Sequence, residues 1–180
     1  IRDSPNGAAQ KALLESIYED ERVDRKRIAY VEAHGTGTAA GDPIETKSIG
    51  EVLGHHNPGE EPLPVGSVKG NLGHLETGSG MAGLAKVLNI FAHREIPANI
   101  QLKNSNPKID FKGLGIRVPT QIEPLPKREG EKGVLACVNS FGFGGTNAHV
   151  LLEEQPVIER VEPEFADDAV LPLMVSARSM

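Results

Sequence analysis

Two histidines and a lysine follow predicted strands, and these residue types suit chemistry on a carbonyl group. His34 follows the apolar stretch 28–31, and Lys69 and His74 follow the stretch 63–68. A neutral imidazole can donate an N–H to a developing oxyanion, and a nearby ammonium disfavours protonation of the ring. The three residues therefore indicate electrophilic or acid–base catalysis on a carbonyl group.

A glycine-rich turn and two threonines could complete such a site. The turn FGFGGTN contains Phe143 and Gly144, whose backbone amides could supply a further oxyanion donor because the turn leaves them outside a strand ladder. Thr36 and Thr38 follow His34 in a loop of small and hydroxyl residues. Their side chains suit hydrogen bonds to a polar ligand arm such as an amide. The turn lacks the spacing and the strand-to-helix transition of a phosphate-binding loop.

Hydrophobic periodicity indicates the elements that must position these residues. The predicted strands cover 28–31, 63–68, 114–118, 134–140 and 148–153. The predicted helices cover 10–21, 42–53 and 78–91, and connections are predicted over 94–112 and 121–132. The last two strands flank the glycine turn and are expected to pair as a hairpin. The pattern favours an α/β fold with its chemistry at the carboxyl ends of strands.

Two helices carry more detailed signals. Asp42, Pro43 and Glu45 match an N-cap, an N1 proline and an N3 carboxylate that reaches back to the N-cap amide. In the helix over 78–91, the i, i+3, i+4, i+7 spacing predicts one buried face. That face consists of Met81, Leu84, Ala85, Leu88 and Phe91.

Composition limits the classes of partner. The chain has 180 residues and a net charge of −6 without a basic block, so neither a nucleic acid nor an anionic membrane is expected as a partner. The sequence shows neither a membrane-spanning run nor a signal peptide. The one cysteine, Cys137, cannot form an internal disulfide, which fits a cytoplasmic location. It lies in a predicted buried strand and is expected to be structural and inert.

Each candidate residue also has an ordinary interpretation, and spacing alone leaves both open. A histidine at a strand end can bond to backbone, a lysine is usually at the surface, and threonines cap turns. Phe143 could be a core aromatic. His55 and His56 are expected to be solvated, His93 and His149 to be surface or packing residues. No histidine pattern has recognisable metal-ligand spacing, so no metal site is expected.

Three long motifs, taken in order, carry a resemblance. VEAHGTGTAAGDPIE, GSVKGNLGHLE and NSFGFGGTNAHVLLEE resemble the second half of a β-ketoacyl synthase (ketosynthase) domain of the thiolase fold, as in polyketide synthases and animal-type fatty acid synthases. The resemblance implies the carboxyl-terminal half of a layered α-β-α-β-α architecture, a mixed sheet flanked by helices. It assigns residues 1–155 to this half and 156–180 to the start of a linker to an acyltransferase domain.

The resemblance implies a decarboxylative Claisen condensation between an acyl thioester on cysteine and malonyl on acyl carrier protein, in polyketide or fatty acid biosynthesis. His34 and His74 would promote malonyl decarboxylation and hold the enolate oxygen, and Lys69 would organise the second histidine. No cofactor is expected to be bound by this chain, since phosphopantetheine arrives on the carrier protein. The other implied partners are the amino-terminal half of the ketosynthase domain and the acyltransferase domain. A second copy of the parent, the full-length synthase to which this chain would belong, is implied as well, in a homodimer.

The remaining roles follow in the same way. Thr36 and Thr38 would bind the phosphopantetheine arm, and Phe143 would be a gating residue whose amide completes the acyl oxyanion hole. Asp42 and Glu45 would be structural.

Two departures from the family pattern matter. Gly83 stands where bacterial stand-alone enzymes carry a glutamate, which puts a glutamate-linked network with Lys69 in doubt. The nucleophilic cysteine belongs to the first half of the domain, so this chain alone is expected to be inactive, to expose apolar surface and to dissolve poorly. Two alternatives remain: a non-condensing homologue (decarboxylase-only or chain-length partner), or an inactive fragment that docks a carrier protein.

Overall fold

The structure is a computed structural model that describes residues 5–20, 22–56, 61–100, 102–127, 132–142 and 144–155. The described helices are α1 (Gly7–Tyr18), α2 (Gly41–Leu53), α3 (Lys69–Leu72) and α4 (Ser79–His93), with short 3₁₀ turns at Arg25–Arg27 and Glu76–Gly78. The described strands are β1 (Ile28–Glu32), β2 (Leu63–Gly66), β3 (Glu95–Ile96), β4 (Ile116–Arg117), β5 (Glu123–Pro124), β6 (Leu135–Phe141) and β7 (Asn147–Glu153).

The main sheet is mixed and has β1 at its centre. Among the described residues its order is β4-β2-β1-β6-β7, and β3 and β5 form a separate antiparallel pair. Strands β4, β2, β1 and β6 are parallel, and β7 returns antiparallel to β6. The α/β class, the mixed sheet and the terminal hairpin are therefore confirmed. The carboxyl ends of β1, β2 and β6 lie at one edge.

Helices cover both faces of the sheet, as a largely parallel sheet requires. Successive side chains of a strand point to opposite faces, so Val31 joins a core with α1 and α2, represented by Leu14 and Ile49. Tyr30 joins a second core under α4, represented by Val87. The strand β1 is buried along its whole length. The sheet with its helices is the framework that holds the strand ends in place.

The two irregular connections contain structure that periodicity did not reveal. The stretches 94–112 and 121–132 were predicted as connections, but Glu95–Ile96 and Glu123–Pro124 pair there as β3 and β5. Pairs of two residues are too short to produce an alternating pattern. The predicted strand at 114–118 shrinks to Ile116–Arg117. Residues 156–180, predicted as the start of a linker, lie outside the described residues.

The first helix lies earlier in the chain than its apolar positions predicted. It begins at Gly7 rather than at residue 10, because the side chain of Asn6 accepts a hydrogen bond from the amide of Ala9 at 3.2 Å and caps the helix. The helix ends at Tyr18, three residues before the predicted end. The apolar face of the helix was thus recognised, and its cap was missed.

The predicted capping box of α2 is wrong. Ala40 is the N-cap and makes no side-chain cap bond. Asp42 instead accepts from the amide of Gly37 at 3.1 Å, and the carboxylate of Glu45 reaches back beyond its own helix. The loop before α2 folds over the start of the helix, and backbone amides of this loop donate hydrogen bonds to the carboxylates of both Asp42 and Glu45.

The predicted buried face of α4 is confirmed only for Leu84 and Phe91, which are partly buried against the core beneath the helix. The buried residues are Ser79, Gly83, Val87 and Ile90. Met81 and Leu88 of the predicted face are 68% and 56% exposed. The helix is apolar on more than one side, so spacing alone did not identify the face that packs. The face of α4 that packs against the sheet is the one with small residues, because Gly83 lets the helix approach β6 closely.

The expectation of exposed apolar surface is confirmed among the described residues. Leu72, Leu75, Met81 and Leu88 are all large, hydrophobic and about half exposed or more. They lie on α4 and on the segment that leads into it. Patches of this kind mark interaction surfaces or aggregation liabilities. A separate observation is that none of the helices in the described ranges is long and apolar enough to cross a membrane.

The isolated chain should become more soluble when this surface is made polar. Met81→Lys with Leu88→Lys removes exposed apolar area without touching the core, so we expect a larger soluble fraction and less binding of a hydrophobic dye. The matched control is Val87→Lys on the same helix, which buries an unpaired charge and should unfold the chain. Equal solubility of the double variant and the unaltered chain would contradict the prediction.

Candidate active site

Three strand ends bring the candidate residues together at one edge of the sheet. His34 follows β1, Lys69 begins α3 after β2, and Phe141 ends β6. Because β1 pairs in parallel with both β2 and β6, these ends are adjacent. His74 reaches the same place from the segment between α3 and α4.

The two histidines predicted from the sequence form a close pair. The ring centroids of His34 and His74 lie 5.5 Å apart with the ring planes at 85°. The ring of Phe141 lies 6.2 Å from that of His34 and forms a wall beside it. Residues forty positions apart in sequence therefore face each other, and two imidazoles can approach a single oxygen between them.

The His34 ring is held neutral. Burial first, and then the positive charge of Lys69 and the neighbouring His74, lower the pKa of His34 to about 4. Its Nδ1 is buried and makes no hydrogen bond to the described residues. A neutral imidazole has one N–H, which it can donate to an oxygen, while its other nitrogen is an acceptor.

The neighbours of His74 fix which of its nitrogens carries the proton. The backbone amide of Glu76 donates to Nδ1 at 3.0 Å, and the hydroxyl of Ser79 lies 2.9 Å from the same atom. A backbone amide can only donate, so Nδ1 is an acceptor and the ring proton is on Nε2. His74 therefore presents an Nε2–H donor at the site.

Lys69 lies beside the histidine pair and is half-buried. Burial lowers the pKa of its ammonium, while the negative charges of Glu32 and Glu45 oppose this shift. Its amide contacts the hydroxyl of Ser67 at 3.3 Å, which helps to begin the short helix α3. The ammonium contributes to the low pKa of His34. The structure thus places Lys69 where it influences the charge of the site.

Glu45 holds the backbone of the His34 loop. Its carboxylate accepts from the amide of His34 at 2.7 Å, from the amide of Gly35 at 2.9 Å and from the side-chain amide of Asn139 at 2.9 Å. The residue is buried, and burial raises the pKa of its carboxyl group against these three donors. A carboxylate from α2 and an amide from β6 thereby lock the end of β1.

The same hydrogen-bond chain continues to the first helix. The side-chain oxygen of Asn139 lies 2.6 Å from Nδ1 of His149, and Nε2 of His149 lies 2.7 Å from the hydroxyl of Tyr18. Burial lowers the pKa of His149 to about 4, so this ring is neutral. The expectation that His149 only packs or lies at the surface missed this bridging position.

The threonines follow the histidine in an exposed loop. The hydroxyls of Thr36 and Thr38 lie 3.4 Å apart, and Thr38 accepts from the amide of Gly41 at 3.0 Å. Thr36 also lines a cleft of about 440 Å³ together with Lys69, Asn99 and Asn104. The loop that leaves the histidine thus borders a cleft whose lining is partly polar and largely apolar.

The glycine turn is described only in part. Phe143, the predicted gating residue, lies outside the described residues. Gly144 is exposed, and the turn is closed by the amide of Gly142, which donates to the carbonyl of Thr146 at 2.7 Å. Because Phe141 packs beside His34, the turn starts next to the histidine pair.

Other groups lie apart from this edge. Cys137 is fully buried in β6, and burial raises the pKa of its thiol to about 12, which makes it a poor nucleophile. Nε2 of His55 contacts the carbonyl of Gly113 at 3.1 Å, and His56 lies 3.5 Å from Arg25. In the part of the chain that the structure describes, no three His, Cys, Asp or Glu residues are grouped to hold a metal.

Sequence reasoning missed four polar residues near the site. Glu32, Ser79 and Asn139 are buried, and His149 is partly buried. Only Glu32 gave a signal, as a charged residue that ends an otherwise apolar run. Asn139 stands within a strand whose other positions are nearly all apolar, but a single amide does not reveal its partner.

Two family matches cover almost the whole chain. Residues 2–103 match the family described as Beta-ketoacyl synthase, C-terminal domain. Residues 105–180 match the family described as Ketoacyl-synthetase C-terminal extension.

The chain is also similar to parts of several curated proteins. It is 42% identical to a phenolphthiocerol/phthiocerol polyketide synthase of Mycobacterium tuberculosis over 98% of this chain and 9% of that protein. It is 45% identical to the hybrid PKS-NRPS synthetase pytA of Aspergillus terreus over 83% of this chain and 22% of that protein. The chain thus spans less than a quarter of the length of these curated relatives.

Solved structures are similar in fold as well as in sequence. Ketosynthase twelve of the bacillaene polyketide synthase of Bacillus amyloliquefaciens matches with a TM-score of 0.78 and 37% identity, over 85% of this chain and 27% of that one. The module 6 ketosynthase of the bacillaene synthase of Bacillus subtilis matches with the same TM-score, 36% identity and 86% and 29% coverage.

Removing the ammonium should make His34 more basic. In Lys69→Met a like charge next to the ring is lost, so the pKa of His34 should rise from about 4. It should remain below its usual value, because burial is the larger cause. Imidazole NMR titration measures the shift, and Lys47→Met, an exposed lysine on α2, should leave it unchanged. An unaltered titration in Lys69→Met would contradict this electrostatic account.

The contacts of Glu45 should contribute more to the free energy of unfolding than those of a more exposed glutamate on the same helix. Glu45→Gln replaces one acceptor oxygen by an amide that faces a donor, so we expect the free energy of unfolding to fall by about 1–3 kcal/mol. Glu51→Gln, a partly exposed residue of α2, should change it by less than about 0.5 kcal/mol. Denaturant unfolding of the domain measures both. Equal decreases in the free energy of unfolding for Glu45→Gln and Glu51→Gln would contradict the prediction that the buried contacts of Glu45 stabilise the fold.

Proposed function

This chain belongs to the β-ketoacyl synthase family, and we propose that it supplies the decarboxylating half of the active site of a condensing ketosynthase in a polyketide synthase. The observation that carries the proposal is the His34–His74 pair, with centroids 5.5 Å apart at the carboxyl ends of parallel strands. The similarity to polyketide synthases and to ketosynthase structures supports the same reaction class.

In the proposed reaction the two imidazoles stabilise an enolate. The bond between the α-carbon of a malonyl thioester and its carboxylate breaks, CO₂ leaves, and the electron pair forms an enolate whose oxygen accepts hydrogen bonds. The donors are an N–H of His34 and the Nε2–H of His74. Oxyanion donors in a site that excludes water are each worth a large rate factor because they are already oriented before the charge develops.

The second step joins two carbon chains. The enolate carbon attacks the carbonyl of an acyl group held as a thioester on a cysteine, and the thiolate leaves as the new ketone forms. That cysteine is supplied from outside these 180 residues, because the thiol of Cys137 is buried and protonated. In this proposal Phe143 and Gly144 gate the site and donate to the acyl oxygen, and Lys69 sets the local charge.

The proposed partners follow from the substrate. The malonyl group arrives on the phosphopantetheine arm of an acyl carrier protein, and Thr36 and Thr38 bind the amides of that arm. The amino-terminal half of the domain, an adjacent acyltransferase domain and a second copy of the parent complete the assembly. An unpaired cysteine and thioester substrates both suit a reducing cytosol.

Loss of His34 should affect one step much more than the other. In the complete domain, His34→Ala should slow malonyl decarboxylation by about a hundredfold or more, since a single oxyanion donor is worth that much. Acylation of the cysteine should change much less, because the enolate is not present in that step. Release of CO₂ from malonyl carrier protein and formation of the acyl-enzyme, followed by mass spectrometry, separate the two steps.

The matched control is His93→Ala, an exposed histidine at the end of α4. It should leave both steps unchanged. An equal loss of decarboxylation and acylation in His34→Ala would indicate a folding defect instead of a catalytic role. Decarboxylation without any condensation in the unaltered domain would favour a non-condensing homologue.

A further inference from the structure

A carboxylate is buried directly beneath the site. Glu32 is the last residue of β1, two positions before His34, and is 1% exposed. A buried carboxylate is costly unless it is paired and hydrogen-bonded. The partners of the Glu32 side chain therefore indicate what it does.

The two oxygens of Glu32 bind different parts of the fold. Oε2 accepts from the hydroxyl of Tyr30 at 2.8 Å and lies 2.9 Å from the ammonium of Lys86 on α4. Oε1 accepts from the backbone amide of Val68 at 2.5 Å. Val68 is the N-cap of α3, and the next residue is Lys69. Oε2 is thus held by Tyr30 and Lys86, and Oε1 fixes the start of α3, the helix that carries Lys69.

The absence of a side chain at Gly83 makes room for this arrangement. A Cβ at Gly83 would lie 3.2 Å from Cγ of Glu32 and 2.9 Å from a methyl carbon of Val138. The space that a side chain at this position of α4 would need is therefore already filled in part by Glu32. The helix α4 contains no Asp or Glu, so the acidic side chain at this place comes from β1.

Glu32 also acts on the lysine through its charge. Among the groups around Lys69, the negative charges of Glu32 and Glu45 favour the ammonium form and oppose the effect of burial. His34 faces the same lysine and is itself affected by it. Lys86 balances the charge of Glu32 on the opposite side. Lys69 therefore feels the charges of both carboxylates and in turn influences His34.

We propose that Glu32 is a positioning residue of the site, whose carboxylate fixes the start of α3 and favours the ammonium form of Lys69 beside the histidine pair, with Lys86 as its counter-charge. The proposal deepens the proposed function, on which its catalytic meaning rests. It assigns a role to Glu32 that a purely structural ion pair would not have. A structural pair would need only Lys86 and would not depend on Lys69.

The test is the protonation of Lys69, measured directly. In the complete domain, the rate at which an acylating reagent labels Lys69 is followed against pH by peptide mass spectrometry. Glu32→Gln keeps the shape and removes the negative charge, so the midpoint should move to lower pH. Lys86→Met removes the balancing positive charge, so the midpoint should rise. Glu51→Gln, a partly exposed residue of α2, should leave it unchanged.

Opposite shifts in the two variants would support the proposal, because loss of packing alone would not change sign with the charge removed. An unchanged midpoint in Glu32→Gln would overturn it. If Lys86→Met does not fold, the double variant Glu32→Gln with Lys86→Met removes both charges of the buried pair. Its midpoint should then lie above that of Glu32→Gln, and an identical midpoint would overturn the proposal.

A second readout separates this inference from the proposed function. The alkaline limb of malonyl decarboxylation should move to lower pH in Glu32→Gln, in step with the labelling midpoint. If the unaltered domain does not decarboxylate malonyl carrier protein, the proposed function fails while the labelling result still decides the role of Glu32. If decarboxylation occurs and its pH profile keeps its shape in Glu32→Gln, the positioning role is overturned alone.

Discussion

The carboxylate of Glu45 is the contact on which the geometry of the site depends. It binds the amides of His34 and Gly35 and the side chain of Asn139, so α2 and β6 both fix the end of β1. A loop rich in glycine has no conformation of its own to hold a ring in place. Without these bonds, the end of β1 would lose its side-chain contacts to α2 and β6, and the distance between the two imidazoles would be less firmly fixed.

The electrostatics of the site follow from its position in the sheet. Parallel strands are buried on both faces, so charged groups at their carboxyl ends are partly withdrawn from water. Burial disfavours the charged form of His34 and of Lys69, and the charge of Lys69 further disfavours protonation of His34. The carboxylates of Glu32 and Glu45 oppose the effect of burial on the lysine in part. Neutral rings and a charged lysine can therefore exist side by side.

The sequence predicted the strands and helices that show a clear pattern of apolar residues, and it missed the features that depend on single contacts. Strands β1, β6 and β7 were predicted because each is a continuous run that alternates or is apolar throughout. The buried face of α4 was predicted only in part, because Met81 and Leu88 are as apolar as Val87 and only packing distinguishes them. The partners of Glu45 were missed because they lie in a loop that folds back, which no local pattern records.

The same limit applies to the site. His34, His74 and Lys69 were found from their residue types at strand ends, and the structure brings them to one edge. The network through Asn139 and His149 joins residues that are far apart in sequence from those they contact, so their spacing gave no sign of it.

The order of strands has a consequence for how the site is assembled during folding. Ile28 in β1 pairs with Leu135 in β6, a separation of 107 positions (135 minus 28). Closing so long a loop costs entropy before any contact repays it, and non-local parallel pairing is slow. The wall that Phe141 forms beside His34 cannot exist until that pairing is complete. A half-folded chain would therefore carry His34 without its neighbour Phe141, and the candidate site would be completed only when the last strands pair.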